Sequence, residues 1–411
     1  LPKFIEGRRM HWINADNLAS AEFVLHWQHH GVRHEDRLYA QRINFWRDIL
    51  PAALRGAMRG AEAGRRMRCP IRAGEGLPAF DPRRVYRVAR GDVDGRRTDG
   101  TPYTPRDGRF YPRGILSGIA GIFPGNVAPF RCRRVAAGTI EADFNHPLAG
   151  LDLEIEAHIL DVRPKFEERG GTANDWFELL VSGPGMQARC NDRPTDFGET
   201  DALARADESD DARFYAAPRM VPHLDAHAAQ TVIDLHRRLI PPHSRVLDLM
   251  SSWNAHLPED LPLTQVAGLG LNAVELAANP RLTQYVVHDL NRNPTLPFED
   301  EVFDAVTCTV SVEYLTQPQA VFAEVSRVLA PGGIFVTTFS DRWFPPKVTR
   351  IWQILHPFER MGYVREFFSH SGRFGDLATY SRQGWPRPAD DKYATQMPFA
   401  DPLFAVWGRR I

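Results

Sequence analysis

Asp248 stands near the end of the apolar run Val246-Leu247-Asp248-Leu249, and Met250-Ser251-Ser252-Trp253 follow it. A carboxylate and two hydroxyls beyond a strand can hold the polar groups of a nucleotide-like ligand. Gly270-Leu271-Asn272 and Asp289-Leu290 repeat the pattern of a polar side chain beside an apolar one, as do Val310-Ser311 and the nearby Tyr314. Tyr215, Arg219 and His223 lie within nine residues, and Arg342 adjoins Trp343. Ring faces attract cations, which makes Tyr215, Trp253, Tyr314 and Trp343 candidate walls of a pocket. Histidine exchanges a proton near neutral pH, so His223, His256 and His288 are candidate bases. Each ring and imidazole can equally be satisfied by core packing and hydrogen bonds. His223, Tyr215 and Tyr314 form the candidate catalytic set, and Tyr215, Arg219, His223, Tyr314 and Trp343 the candidate acceptor set. Arg342, Arg387, Asp390 and Asp391 either recognise a charged acceptor or make surface pairs.

The elements that must position these groups begin near residue 213. A helical pattern (Leu224, Ala228, Val232, Leu235, Leu239) leads to strands expected at 245–249, 265–271, 284–288, 304–310 and 334–339. A helix is expected over 321–329, before the turn Pro331-Gly332-Gly333. Strands alternating with helices imply a parallel sheet with ligands at the carboxyl ends of the strands. Pro258 and Pro262 leave no room for a full helix between the first two strands.

The order of Val246-Leu247-Asp248-Leu249, Phe303-Asp304-Ala305-Val306 and the run from Glu324 through Pro331-Gly332-Gly333 to Val336 resembles the class I methyltransferases. The resemblance implies a Rossmann-like α/β domain that uses S-adenosylmethionine. No GxGxxG follows the first strand, which counts against a nicotinamide site. DLMSSWNAHLP, GLGLNAVELAANP and HDLNRNPTLPF are similar to a narrower group of bacterial and plant methyltransferase-domain proteins. The implied cofactor contacts are Asp248, Met250, Ser251, Ser252, Trp253, Gly270, Leu271, Asn272, Asp289, Leu290, Val310 and Ser311. The Ser251 and Ser252 hydroxyls, with backbone amides, are expected to replace a glycine loop around the methionine carboxylate. Asn272 is expected at the ribose or amino-acid part, Asp289 at the adenine amino group, and Trp253 beside the methionine end.

Residues 1–165 read differently. Phe23, Leu25 and Trp27 alternate at a strand period, as does Leu151-Asp-Leu-Glu-Ile-Glu-Ala-His-Ile-Leu160, and one helix is expected near 49–58. Asp143-Phe-Asn-His-Pro-Leu-Ala-Gly150 and Asp48-Ile-Leu-Pro-Ala-Ala-Leu resemble SlyD-type FKBP-like prolyl isomerases. The resemblance implies a β-rich α+β domain over 1–165 with an inserted flap near 89–142, and Ile49 and Leu50 on the floor of a prolyl pocket. Residues 166–212 read as a polar connector, and Asp207-Glu-Ser-Asp-Asp211 as a solvated charge run. The methyltransferase domain takes 213–411. His26, His30 and His34 would share a face only on a helix, which the strand alternation contradicts, so no metal is expected.

Fifty basic and fifty-one acidic side chains argue against a nucleic-acid or anionic-membrane binder. No run approaches a membrane span, the first residues are unlike a signal peptide, and the four cysteines form no CxxC, so a cytoplasmic setting is expected. The expected activity is methyl transfer to a small-molecule nucleophile; thiols are attractive acceptors because they ionise near neutral pH, and amines and hydroxyls stay open. Two rival readings remain: methylation of a protein segment presented by the FKBP-like module, or a folding factor with a silent methyltransferase domain. The oligomeric state is not read from the sequence.

Overall fold

The computed structural model describes residues 11–97, 100–166 and 171–411, and the backbone of two short strands before them. The first half contains β1 (Asn17–His29), β2 (Val32–Asn44), α1 (Ala52–Met58), β3 (Arg66–Ile71), β4 (Val85–Ala89), β5 (Phe110–Pro112), β6 (Pro129–Ala136), β7 (Thr139–Asp143) and β8 (Leu153–Pro164). Strands β4 to β7 form a separate four-stranded sheet in the order β4-β7-β6-β5, around Tyr111, Phe130, Ile140 and Phe144. Then come α2 (Trp176–Val181) and α3 (Asp211–Phe214).

The second half contains α4 (Ala226–Leu239), β9 (Arg245–Leu249), β10 (Gln265–Gly270), α5 (Ala273–Ala278), β11 (Gln284–Val287) and β12 (Phe303–Thr309). It continues with α6 (Pro318–Val328), β13 (Leu329–Phe339), α7 (Arg350–Ile354), α8 (Pro357–Ser371), β14 (Phe374–Gln383) and β15 (Leu403–Arg410). Val246, Leu247 and Leu249 of β9 are all buried, as expected of a central parallel strand covered on both faces.

One sheet of eleven strands runs through both halves in the order β11-β10-β9-β12-β13-β15-β14-β2-β1-β8-β3. The halves meet where β14 pairs in parallel with β2, from Ala378 opposite Arg33 to Gln383 opposite Leu38. The Ser381 hydroxyl donates to Asp36 Oδ1 at 2.7 Å, and the Trp27 indole donates to Asp36 Oδ2 at 2.9 Å. Burial pushes the Asp36 carboxyl up to about 6. His34 lies 2.7 Å through Nδ1 from the Thr379 hydroxyl, with its ring stacked 3.6 Å from Trp27. The four-stranded sheet is docked too: Arg109 Nε donates to Glu359 Oε1 of α8 at 2.9 Å, and both side chains are buried.

The stretch read as a polar connector is largely built into the two cores. Asp175 caps α2, and Trp176, Phe177, Leu180 and Val181 join the core beneath β1 and β2. Polar composition here reflects turns around a helix whose apolar face is buried.

Candidate functional site

A cavity of about 320 Å³ opens at the carboxyl ends of β9, β10 and β12. Its floor is the loop after β9. Ser251 N–H donates to Leu269 O at 2.7 Å, folding this loop back over β10. Gly270 permits the fold, because a Cβ there would lie 2.1 Å from the Ser251 carbonyl oxygen. Asp248 is buried, and accepts hydrogen bonds from Ser251 Oγ at 2.5 Å and Thr307 Oγ1 at 3.0 Å. Burial drives its carboxyl up to about 7. Ser252 Oγ donates to Glu275 Oε2 at 2.6 Å. Both serine protons are therefore used within the chain, which corrects the expectation that the hydroxyls hold a ligand carboxylate.

Asn272 is corrected in the same way. Its Oδ1 caps α5, accepting from Val274 N at 2.9 Å and Glu275 N at 3.2 Å. Its Nδ2 donates to the carbonyls of Tyr215 at 2.9 Å and Ala216 at 3.1 Å. With two acceptor and two donor bonds the amide has no capacity left for a ribose. Asp289 and Leu290 do line the cavity, with Leu271 nearby. Asp289 uses Oδ1 to accept from Asn291 N at 2.9 Å.

The segment 214–223 closes one side as a lid. Besides the Asn272 bonds, Arg219 N–H donates to Glu275 Oε1 at 2.7 Å. Trp253 donates from its indole nitrogen to Val221 O at 3.2 Å and is absent from the cavity wall. It thus ties the lid to the first loop, and does not pack beside a ligand as expected. The Arg219 guanidinium carbon lies 4.5, 5.0 and 5.3 Å from the ring centroids of Phe214, Phe344 and Tyr215. Its Nη2 donates to Phe214 O, whereas its buried Nη1 has no hydrogen-bond partner among the described residues.

Tyr215, His223, Tyr314 and Trp343 line the cavity as expected, with Met250, Val310 and Ser311. Tyr314 Oη accepts from Phe344 N at 2.8 Å, and burial raises the affinity of the Tyr215 and Tyr314 hydroxyls for their protons. The His223 ring meets Phe344 edge-on at 5.7 Å, and burial holds it below the usual imidazole range. His256 is driven to about 4, again by burial first, while His288 Nε2 lies 2.8 Å from Asn293 O. A buried imidazole that resists protonation stays available as an acceptor at neutral pH.

The cavity residues that escaped the sequence reading include Asp211, Glu275 and Lys347. Asp211 belongs to the acidic run expected to be solvated. It is buried instead, held by both oxygens to Arg205 Nη1 at 2.7 and 2.8 Å, by Lys347 Nζ at 3.1 Å and by Asn291 Nδ2 at 2.8 Å. Opposite charges, Arg205 from six residues upstream and Lys347 from a distant segment, overturn the expectation of solvation, and a lysine among Phe344, Pro345, Pro346 and Val348 was the available signal.

In the first half, the floor expected of a prolyl pocket is joined by the chain itself. Ile49 N–H donates to Asn174 O at 2.8 Å, and Trp176 N–H donates to Ile49 O at 3.1 Å. The Trp176 indole donates to Asp48 Oδ2 at 2.8 Å and is buried in the same core as Leu50.

The family model for a methyltransferase domain matches residues 259–337. A demethylmenaquinone methyltransferase of Lactiplantibacillus plantarum is 28% identical over 177 residues, 38% of this chain and 73% of that protein. A ubiquinone/menaquinone biosynthesis C-methyltransferase of Chromobacterium violaceum is 45% identical over 51 residues, 12% of this chain and only 21% of that protein. Among solved structures, a Thermotoga maritima methyltransferase described as a possible histamine N-methyltransferase is 13% identical, with a TM-score of 0.33, over 45% of this chain and 90% of that one. Geranyl diphosphate C-methyltransferase of Streptomyces coelicolor is 15% identical, with a TM-score of 0.30, over 45% and 80%. With the family match on strands β10 to β13 and a cavity at their carboxyl ends, the second half of this chain is an S-adenosylmethionine-dependent methyltransferase domain.

Proposed function

We propose that the chain transfers the methyl group of S-adenosylmethionine to a small-molecule nucleophile, a thiol in the first instance. The observation that carries this reading is the cavity between the strand ends and the aromatic lid. Asp289, Leu290 and Leu271 take the adenine end. Arg219 takes the methionine carboxylate, since both serine hydroxyls are engaged and its buried Nη1 still has a hydrogen to donate. Tyr215, Tyr314 and Trp343 would hold the sulfonium end, since ring faces suit a cation. A thiolate attacks the methyl carbon in line as the carbon–sulfonium bond breaks, leaving S-adenosylhomocysteine as a neutral thioether. The protein's main contribution is alignment and exclusion of water. His223 receives the thiol proton.

Residues 1–165 act in this reading as an FKBP-like, SlyD-type structural or binding module, with 166–212 joining it to the domain at 213–411. The pairing of Asn174 and Trp176 with Ile49 supports a structural role over isomerisation. A second reading, methylation of a protein segment, draws on a groove of about 1120 Å³ between the halves, lined by Tyr39, Trp176, Phe358 and Phe399. The test is turnover of labelled S-adenosylmethionine by the full chain against thiols, amines, phenols and peptides. Methylation of thiols supports the first reading. Labelling of peptides alone overturns it in favour of the second.

A further inference from the structure

The acids of the cavity wall are engaged within the chain. Asp248, Glu275 and Asp289 stand at or just beyond the ends of β9, β10 and β11, and Asp211 is held by Arg205, Lys347 and Asn291. The loop after β13 and the loop between β14 and β15 place Arg342, Lys392 and Tyr393 on the same wall. The Arg342 guanidinium carbon is 5.2 Å, and the Lys392 ammonium 4.9 Å, from the centroid of the one Tyr393 ring.

Of the two cations only Arg342 is paired among the described residues, through Asp401, whose other partner Arg387 is also held by Asp225 and Asp391. Asp401 accepts from Arg342 Nη1 at 3.0 Å, but it also accepts from Arg387 Nη2 at 2.6 Å and from Asp225 N at 2.9 Å. Asp391 accepts from Tyr393 N at 2.8 Å and Arg387 Nη1 at 3.4 Å. Lys392 makes no ion pair among the described residues, and none of Asp390, Asp391 and Asp401 lines the cavity. S-adenosylmethionine brings one carboxylate, which the reading above gives to Arg219 on the lid. Lys392, beside the Asp401-bound Arg342, is then a cation that the donor's carboxylate does not use.

We propose that the methyl acceptor is a small anion bearing a planar ring, its acid group held between Arg342 and Lys392 and its ring laid among Tyr393, Trp343 and Phe344. The proposal rests on methyl transfer in this cavity. An anionic acceptor is also drawn toward the sulfonium, so the same charge that anchors it favours the productive complex.

The test is calorimetry on the full chain saturated with S-adenosylhomocysteine, using benzoate and benzamide as a matched pair of probes. Benzoate is expected to bind about tenfold more tightly than benzamide, the gain of one charge-assisted contact at a partly exposed site. In the double variant Arg342→Gln/Lys392→Gln that preference should collapse to within about twofold, with S-adenosylhomocysteine affinity unchanged and a melting curve verifying that the variant, which leaves Asp401 with Arg387, is folded. Equal binding of the two probes, binding of neither, or a preference that survives the double variant overturns the proposal. Failure of S-adenosylhomocysteine to bind the wild-type chain overturns the methyl-transfer reading itself, and the proposal with it.

Discussion

Replacing Asn272 by Asp separates the two jobs of its amide. The carboxylate can still accept from Val274 N and Glu275 N, and Asp is as good a helix cap as Asn, so α5 should keep its stability. The donors to the lid are lost, and a carboxylate oxygen comes to face the carbonyls of Tyr215 and Ala216 at about 3 Å. Two lost hydrogen bonds at roughly 1 kcal/mol each, plus a stranded carbonyl at about 1–2 kcal/mol, disfavour the closed lid by about 3–4 kcal/mol. The Arg219–Glu275 and Trp253–Val221 bonds still hold the lid in part. The expected loss of S-adenosylhomocysteine affinity is therefore about 10- to 100-fold. Calorimetry reads the affinity, and a melting curve verifies that the fold is intact. Asn272→Ser, which caps without adding charge, should fall between wild type and Asn272→Asp. Wild-type affinity in a folded Asn272→Asp variant would refute the view that this amide fastens the lid over the ligand.

Three shorter predictions follow from other contacts. Burial raises the Asp248 carboxyl to about 7, so the folded chain binds a proton that the unfolded chain has released above about pH 4, and stability falls as pH rises through 7. Asp248→Asn escapes this dependence, and its stability relative to wild type should rise between pH 5 and pH 8 by about 2–3 kcal/mol; a difference that stays flat with pH refutes the assignment. Trp253→Phe loses one N–H donor to the lid and should cost S-adenosylhomocysteine binding no more than about fivefold, whereas Trp253→Ala also removes the ring and should cost more. Equal binding by wild type and both variants would show that the indole does not fasten the lid. Asp36→Ala strands the donors of Trp27 and Ser381 across the joint between the halves, at a cost of about 2–5 kcal/mol, and should lower one shared unfolding transition. Two transitions, only one of them shifted, would show that the halves melt independently.

The nucleotide-binding half was legible because its signals are local. The apolar run at 245–249 is a strand with the bounds expected, and the order of strands and helices followed from alternating textures. Tyr215, His223, Asp289 and Tyr314 reached the cavity because strand ends and the lid collect there. What escaped were choices between partners. A serine at a strand end reads as a ligand contact until a carboxylate such as Asp248 or Glu275 is found within reach of its hydroxyl. Asp211 reads as solvated until Arg205 and Lys347 surround it. Trp253 has a residue type that suits a pocket, but the lid lies on its polar side. The pairing of β2 with β14 joins residues some 345 positions apart, and alternation within either strand does not specify it.

That pairing also gives the first half a role independent of any activity of its own. Strand β14 would be an open edge of the methyltransferase sheet, with unpaired N–H and C=O groups exposed to other chains. Strand β2 covers it, and the contact continues past the strand end. Gly384 sits with φ +87, and a Cβ there would lie 2.8 Å from Tyr39 O of β2. The next residue, Trp385, stacks on Tyr39 at 4.2 Å and on His227 of α4 at 4.6 Å. The loop between β14 and β15, which carries Lys392 and Tyr393 to the cavity mouth, is therefore rooted on a residue of the first half. Removing that half would uncover the edge and free the loop's root together. The first half thus helps to place the loop that brings Lys392 and Tyr393 to the cavity wall.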